Sequence, residues 1–447
     1  MISEMNHFFL YYFNRKNLDE YLIKENIENI INRLNSINFD NNKHKYLTLS
    51  CIFGAFLGDS IGSNCEFSYP SQKNYELIFK NIKGKFRPGE VTDDSEMAMS
   101  AAFAYIDANN EMDLRIQDLI YYYFCLWGAS HPKDIGNTTV NALKFWNPNS
   151  NIKQTKFNRA IKEAINKQNW NSLSNGFLMR ISTFIVFYYY THYENIYIKI
   201  QNFFSHISND NELDNELTYL YLDILKESTK NIEVTHPNFE NCISSAVFTL
   251  LVLTGMIRRN ASDIYFLFKI ISFSEKFIEC QKSYLNIAQT VQKKYYTIIK
   301  EIESNTKFSV FENMGYYIHG FKLSIYYLYK YPKMGLTNDN NLYYNIMCEI
   351  CNLGGDTDTN CSIVGTIIGP LIGYKNFRSE LFEKLIRFIP ENRTQYNSAF
   401  MYIFVDYLEK KYLYKNKYET KGKNYYEKSE YHAYQLIKEF LTQKIQI

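Results

Sequence analysis

Net charge is nearly absent from this chain. Its 49 basic side chains against 47 acidic ones leave +2 over 447 residues. No global field pulls it toward nucleic acid or an anionic membrane, and neither is expected as a partner. Long apolar runs are missing too. The longest smooth one, Ala246 to Ile257, is too short to span a bilayer. The N-terminal stretch MISEMNHFFLYYFNRK has an early Glu4 and no basic region before its aromatic run, so no signal peptide is expected. Eight cysteines are scattered, and the one CxxC, Cys348 with Cys351, has no second pair to complete a zinc site. Its surroundings, LYYNIMCEICNL, read as a helix with both thiols near one face, hence as core cysteines. Free thiols without a secretory signal make a reducing, cytoplasmic setting the expectation. No GxxxxGK[ST] phosphate loop occurs, and sustained period-2 alternation is hard to find.

What is present is helical. Hydrophobic residues make up 46%, ample for a large core. Leu49, Ile52, Phe53, Phe56, Leu57 and Ile61 follow the i, i+3, i+4, i+7 spacing. Ile116, Leu119, Ile120, Tyr123, Phe124 and Trp127 repeat it, as do Ile243, Ala246, Val247, Leu250 and Leu251. Ser95–Ile106 and Asn360–Ile372 are small and apolar on nearly every side, which reads as two central buried helices. The fold class is therefore all-α. Residues 1–45, polar with a helix near Leu18–Leu34, and the Lys/Tyr-rich 391–447 read as additions to a core of residues 46–390. Ser208–Glu216 and Ser304–Phe308 read as surface loops. The 40 tyrosines reflect the bias of an AT-rich genome more than a stacking surface.

Two acidic clusters carry the chemistry. The first is Thr92-Asp93-Asp94 in GEVTDDSEM, and the second is Asp356-Thr357-Asp358-Thr359 in GGDTDTN. Each crowds two carboxylates and hydroxyl oxygens into a few residues, and like charges a few Å apart repel unless a cation lies between them. Donors that are all oxygen favour a hard divalent ion, magnesium first. Alone, the first cluster reads as helix capping: a Thr before acids in a first turn. The second begins like a calcium loop but fails at its sixth position, Cys361, and its twelfth, Ile367. A formal GxSxG at Gly58–Gly62 lacks the strand a nucleophile elbow needs.

These elements occur in one order with GAFLGDSIGSNCEF, SHPKDIGNTT, NGFLMR and THP. Together they resemble the ADP-ribosylglycohydrolase family, of the dinitrogenase reductase-activating type, over about residues 46–375. The resemblance implies an all-α domain with two Mg²⁺ ions (Mn²⁺ as a substitute) in a cleft. By position it makes Thr92, Asp93, Asp94, Asp356, Asp358 and Thr359 the metal ligands. It makes Glu66 and Asp134 the acid/base candidates and sets Ser130, Gly136, Asn137 and His236 near the ADP-ribose. The implied substrate is an ADP-ribosylated protein or a small ADP-ribose conjugate, with the arginine linkage favoured by the DIGN segment. A monomer is expected. The alternatives are an ADP-ribose binder without turnover, a hydrolase of serine-linked or O-acetyl-ADP-ribose, and a structural protein that reuses the fold. Binding the substrate diphosphate is the expectation for the glycines of Gly54–Gly62. Phe177, where the family has a small residue, would narrow the pocket if it faces the cleft, and Pro370 would kink or shorten the last core helix.

Overall fold

Apolar residues at helical spacing must find one another, and in the computed structural model they do so around two glycine-bearing helices. Residues 20–70, 85–108, 115–147, 149–150, 154–206, 213–306, 309–334, 339–391 and 393–413 are described. Their helices are α1 Glu20–Ser36, α2 Lys43–Gly62, α3 Asp93–Ala108, α4 Ile116–Ala129, α5 Asn137–Leu143, α6 Arg159–Asn169, α7 Ser182–Ser205, α8 Asn215–Ile232 and α9 Phe239–Arg258. The chain continues through α10 Ala261–Phe273, α11 Glu275–Glu279, α12 Leu285–Glu303, α13 Ile318–Lys330, α14 Leu342–Leu353, α15 Thr357–Ile372, α16 Ser379–Arg387 and α17 Phe400–Tyr412. Among the described residues there is no strand, only two isolated antiparallel bridges, Ser68 with Gly355 and Ser174 with Tyr316. The class is all-α. Asparagine serves the helix starts: Asn158, Asn238 and Asn260 each accept from a backbone N–H in the first turn that follows.

α2 and α15 lie antiparallel at the centre, backbone against backbone. Gly54 faces the carbonyl of Gly365, Gly58 that of Cys361, and Gly62 that of Thr357, and a Cβ at any of the three would collide with that oxygen. Thr357 Oγ1 also donates to the Gly62 carbonyl at 2.7 Å, tying the start of α15 to the end of α2. The diphosphate reading of these glycines is thereby corrected: their missing side chains admit a helix, not a ligand. This contact brings the second acidic cluster to the C-terminal end of α2.

Other expectations change as well. Pro370 does not stop α15 short; the helix runs two residues past it to Ile372, and Gly373 N–H bonds Gly369 O at 2.7 Å. Pro370 sits in the last turn of the helix. Phe177 is fully buried, its ring 5.9 Å from His236 and 5.6 Å from Tyr317, so it packs the core behind the cleft. The apolar run in α9 belongs to a 20-residue helix long and apolar enough to cross a membrane, yet the helix is buried within the fold. Cys348 and Cys351 lie on α14 as free thiols, Cys351 buried.

The flanks join the core. Ile27, Ile30 and Leu34 of α1 are buried, and Tyr374 Oη donates to Leu34 O at 2.7 Å. On the other side Lys45 forms ion pairs with Asp406 (2.7 Å) and Glu409 (2.8 Å) of α17, all three largely buried. Packing therefore does not stop at residues 46 or 390. Asp214 caps α8 by accepting from Leu217 N–H at 2.6 Å, so the end of the expected Ser208–Glu216 loop is helical. The N-terminal MISEMNHFFLYYFNRK and most of the Lys/Tyr-rich tail lie outside the described residues.

Candidate metal centre and active site

The centre is built where three helix ends meet. α2 supplies Asp59 in its last turn, α3 begins at Asp93, and α15 begins at Thr357. Asp59 is fully buried and reaches across to the start of α3. It accepts from Thr92 N–H at 3.1 Å, Ser95 N–H at 3.2 Å and Ser95 Oγ at 2.5 Å. It thus caps α3 from a different helix, satisfying donors that the first turn cannot pair itself. Thr92 Oγ1 donates to Asp94 Oδ2 at 3.1 Å, and Thr359 Oγ1 donates to the same oxygen at 3.3 Å. The two acidic clusters, 265 residues apart by this pair, share one carboxylate.

Two carboxylate triads result. Oxygens of Asp59, Asp94 and Asp358 lie within 4.8 Å of one another, and so do those of Glu66, Asp356 and Asp358. Asp358 belongs to both. Asp356 is held by Asn175 Nδ2 at 2.7 Å, and Asn175 comes from the short 3₁₀ turn of NGFLMR. Gly354 and Gly355 both have positive φ (70° and 79°), which lets the backbone turn sharply before Asp356. Phe67 N–H to Gly355 O (2.7 Å) and Gly355 N–H to Ser68 O (3.1 Å) pin the Glu66 turn against that bend.

Burial and mutual repulsion push these acids toward their neutral forms. Burial raises Asp59 to about 7, with bonds from Ser95 and Thr92 opposing. Burial, then the charges of Asp134 and Asp356, raise Glu66 to about 8. Asp93, Asp94 and Asp358 are held well above the usual carboxylate range by burial first and by neighbouring carboxylates second. Asp94 Oδ1 is buried with no hydrogen-bond partner. An orphaned acceptor among oxygen donors that repel one another is what a divalent cation would satisfy. The cluster can hold metal ions.

The remaining expected residues are placed as follows. Asp93 is half-buried beside Asp94. Asp134 lies at the rim, where its charge acts on both Glu66 and Asp93. It accepts from Lys85 Nζ at 2.6 Å and from Ile135 N–H at 2.9 Å. Gly136 and Asn137 are exposed at the start of α5, and nothing lies within 4 Å of a Cβ at Gly136. Ser130 is buried; its hydroxyl donates to Trp127 O at 2.6 Å and accepts from Arg393 Nε at 3.1 Å. His236 is fully buried, its Nε2 2.9 Å from Ser174 Oγ and its Nδ1 2.7 Å from Thr235 Oγ1. Burial, then Arg180, holds this imidazole neutral. Both ring nitrogens are engaged, and the ring lies against Ser174 and Gly176 on either side of Asn175. An open cleft of about 470 Å³, lined by Leu173, Ser174, Asn313, Gly315 and Tyr316, runs beside Asp356.

Two site residues escaped the sequence reading. Asp59 is the one acidic or basic residue between Tyr46 and Cys65, and a lone acid in a mostly apolar stretch was the available signal. Asn175 had no such mark.

Helix ends converging on overlapping acidic triads place the chain in a class that sequence comparison defines. The family model for ADP-ribosylglycohydrolase matches residues 41–399, and the chain belongs to that family, whose members are hydrolases of ADP-ribose conjugates. A protein of Acanthamoeba polyphaga mimivirus with a provisional ADP-ribosyl glycohydrolase name is 28% identical over 340 residues, 74% of this chain and 88% of its own length. The ADP-ribosylarginine hydrolase Tri1 of Serratia proteamaculans is 33% identical over 96 residues, 21% of this chain and 26% of that protein. The ADP-ribosyl-[dinitrogen reductase] glycohydrolase of Rhodospirillum rubrum is 30% identical over 101 residues, 22% and 33% of the two chains. A solved chain from an ADP-ribosylglycohydrolase-related protein complex aligns over 80% of this chain and 97% of its own, at 16% identity and a TM-score of 0.48.

Proposed function

We propose that this chain uses two magnesium ions to hydrolyse the glycosidic bond between ADP-ribose and a modified arginine side chain. The observation that carries the reading is the pair of triads that share Asp358. With Glu66 kept as the acid, Asp59, Asp94, Asp356 and Asp358 are the carboxylates that would hold the ions, and an all-oxygen donor set suits a hard ion. Thr92, Asp93 and Thr359 would complete the shell with Asp59, Asp94, Asp356 and Asp358. When bound, such ions supply positive charge that orients the ribose hydroxyls and a water.

The chain's own residues do the rest. Water adds at the anomeric carbon as the bond to the guanidino nitrogen breaks, and the departing group takes a proton. Glu66 is the better placed donor. It is half-buried, adjoins Asp356 and Asp358, and is raised first by burial, which persists whatever neutralises its neighbours. Asp134, part-exposed and near enough to Glu66 for its charge to act there, is suited to take a proton from water once free of Lys85. Asn175 fixes the Asp356 carboxylate, and the starts of α3 and α15 direct backbone N–H dipoles at the same acids.

The arginine linkage is supported by the DIGN segment and by the ADP-ribosylarginine hydrolase name of the Serratia relative. Release of ADP-ribose from arginine-, serine- and acetyl-linked substrates tests it. The arginine conjugate should be cleaved fastest. Preference for serine would refute the linkage, and binding of ADP-ribose with no release from any of the three would replace the enzyme by a binder.

A further inference from the structure

Two lysines lie near the acidic centre, and the charges of Asp134, Glu66 and Asp93 act on the first of them, Lys85. The Nζ atoms of Lys85 and Lys133 lie 5.3 and 5.7 Å from the centroid of the same buried ring, Phe86. Each is paired with a carboxylate, but the pairs differ. Lys133 meets Glu90, whose side chain is 8% exposed and also accepts from Arg87 N–H at 2.9 Å. Drawing Lys133 away would strand a buried charge. Lys85 meets Asp134 at 2.6 Å, with the two side chains 52% and 25% exposed. Asp134 keeps its bond from Ile135 N–H and access to water, so that pair can open at little cost. Lys85 is thus the exchangeable cation.

The substrate class poses a matching problem. A conjugate of ADP-ribose carries a diphosphate, and seating it near the Asp134 carboxylate brings like charges together unless a cation lies between them. From this arrangement we infer that Lys85 is a substrate-binding residue that exchanges Asp134 for the diphosphate of the substrate. The exchange leaves Asp134 free of its ion pair when the substrate is seated. The inference rests on the ADP-ribose reading above, but its test does not need turnover.

Calorimetric titration with ADP-ribose and with adenosine, in saturating Mg²⁺, is run on wild type, Lys85→Gln and Lys85→Arg. An ammonium–phosphate pair at a part-exposed site gives about a tenfold effect. Lys85→Gln should weaken ADP-ribose about tenfold and leave adenosine unchanged, with Lys85→Arg near wild type and the difference shrinking as salt rises. Unchanged ADP-ribose affinity in Lys85→Gln, equal weakening of both ligands, or no ADP-ribose binding by wild type overturns the inference. Failure of wild type to release ADP-ribose from any conjugate would overturn the proposed reaction instead.

Discussion

Thr359 Oγ1 lies 3.3 Å from Asp94 Oδ2, and the contact closes a gap of 265 residues. It joins the start of α15 to the start of α3 at a carboxylate whose other oxygen has no partner. Removing a charge here should cost metal before it costs fold. Asp94→Asn and Asp358→Asn should each lower hydrolysis by at least about a hundredfold, the scale of losing a key electrostatic group. With EDTA present, each should melt at or above the wild-type temperature, because one repelling charge is gone. Turnover with thermal melting checks both.

Asn175 holds Asp356 from outside the acidic clusters. Partners of this kind set ligand orientation, and losing them costs about 10–100-fold in metal affinity or activity. Asn175→Ala should fall in that range. Excess metal should recover part of the rate, and a rate series against Mg²⁺ concentration reads it directly.

Gly58 sits where α2 touches the backbone of α15. Helix propensity favours alanine over glycine by about 1 kcal/mol. The clash with the Cys361 carbonyl outweighs this, because two backbones must separate to relieve it. Gly58→Ala should lose about 3 kcal/mol in urea unfolding. Gly136→Ala, with open space around the new methyl, should lose almost nothing.

Arg393 fixes the C-terminal region to the core, donating to both oxygens of Glu96 at 2.8 and 2.5 Å. Both side chains are nearly buried, and Trp127 Nε1 adds a bond to the same acid at 2.8 Å. Arg393→Met should destabilise the protein by about 3 kcal/mol, since it leaves a buried carboxylate without its cation. Denaturant titration at pH 7 measures the loss, which should shrink as pH falls, because burial pushes Glu96 toward its neutral form and Arg393 no longer opposes it.

Without divalent metal, stability should depend on pH in a defined direction. Glu66 is raised to about 8 and Asp59 to about 7, from ordinary values of 4.5 and 3.8. Between those limits the folded chain holds protons that the unfolded chain has released, so stability falls as pH rises from about 4 to about 8. Melting in EDTA should occur at a higher temperature at pH 5 than at pH 8. Saturating Mg²⁺ should stabilise most at pH 8, where the carboxylates are freest to bind it.

α3 and α15 were legible as buried helices because Ser95–Ile106 and Asn360–Ile372 are apolar on nearly every face, and α2 was legible as a helix from the spacing of its apolar residues. The two acidic clusters were legible because each is contiguous in sequence. What could not be read depends on partners distant along the chain. Asp59 looked like part of a formal GxSxG until its hydrogen bonds to Thr92 and Ser95 showed it capping α3. The glycines of α2 suggested a diphosphate until α15 filled the space beside them. Phe177 was a question about the cleft that only its burial could answer, and Lys45 with Asp406 joins flanks that composition alone set apart.

The most direct measurement is the rate of ADP-ribose release from an ADP-ribosyl-arginine substrate in EDTA and on return of Mg²⁺, for wild type and Asp358→Asn. Wild type should be silent in EDTA and recover with Mg²⁺, while Asp358→Asn should remain at least about a hundredfold slower than wild type once Mg²⁺ is returned. Undiminished release by wild type in EDTA, or wild-type rates from Asp358→Asn, would contradict the account.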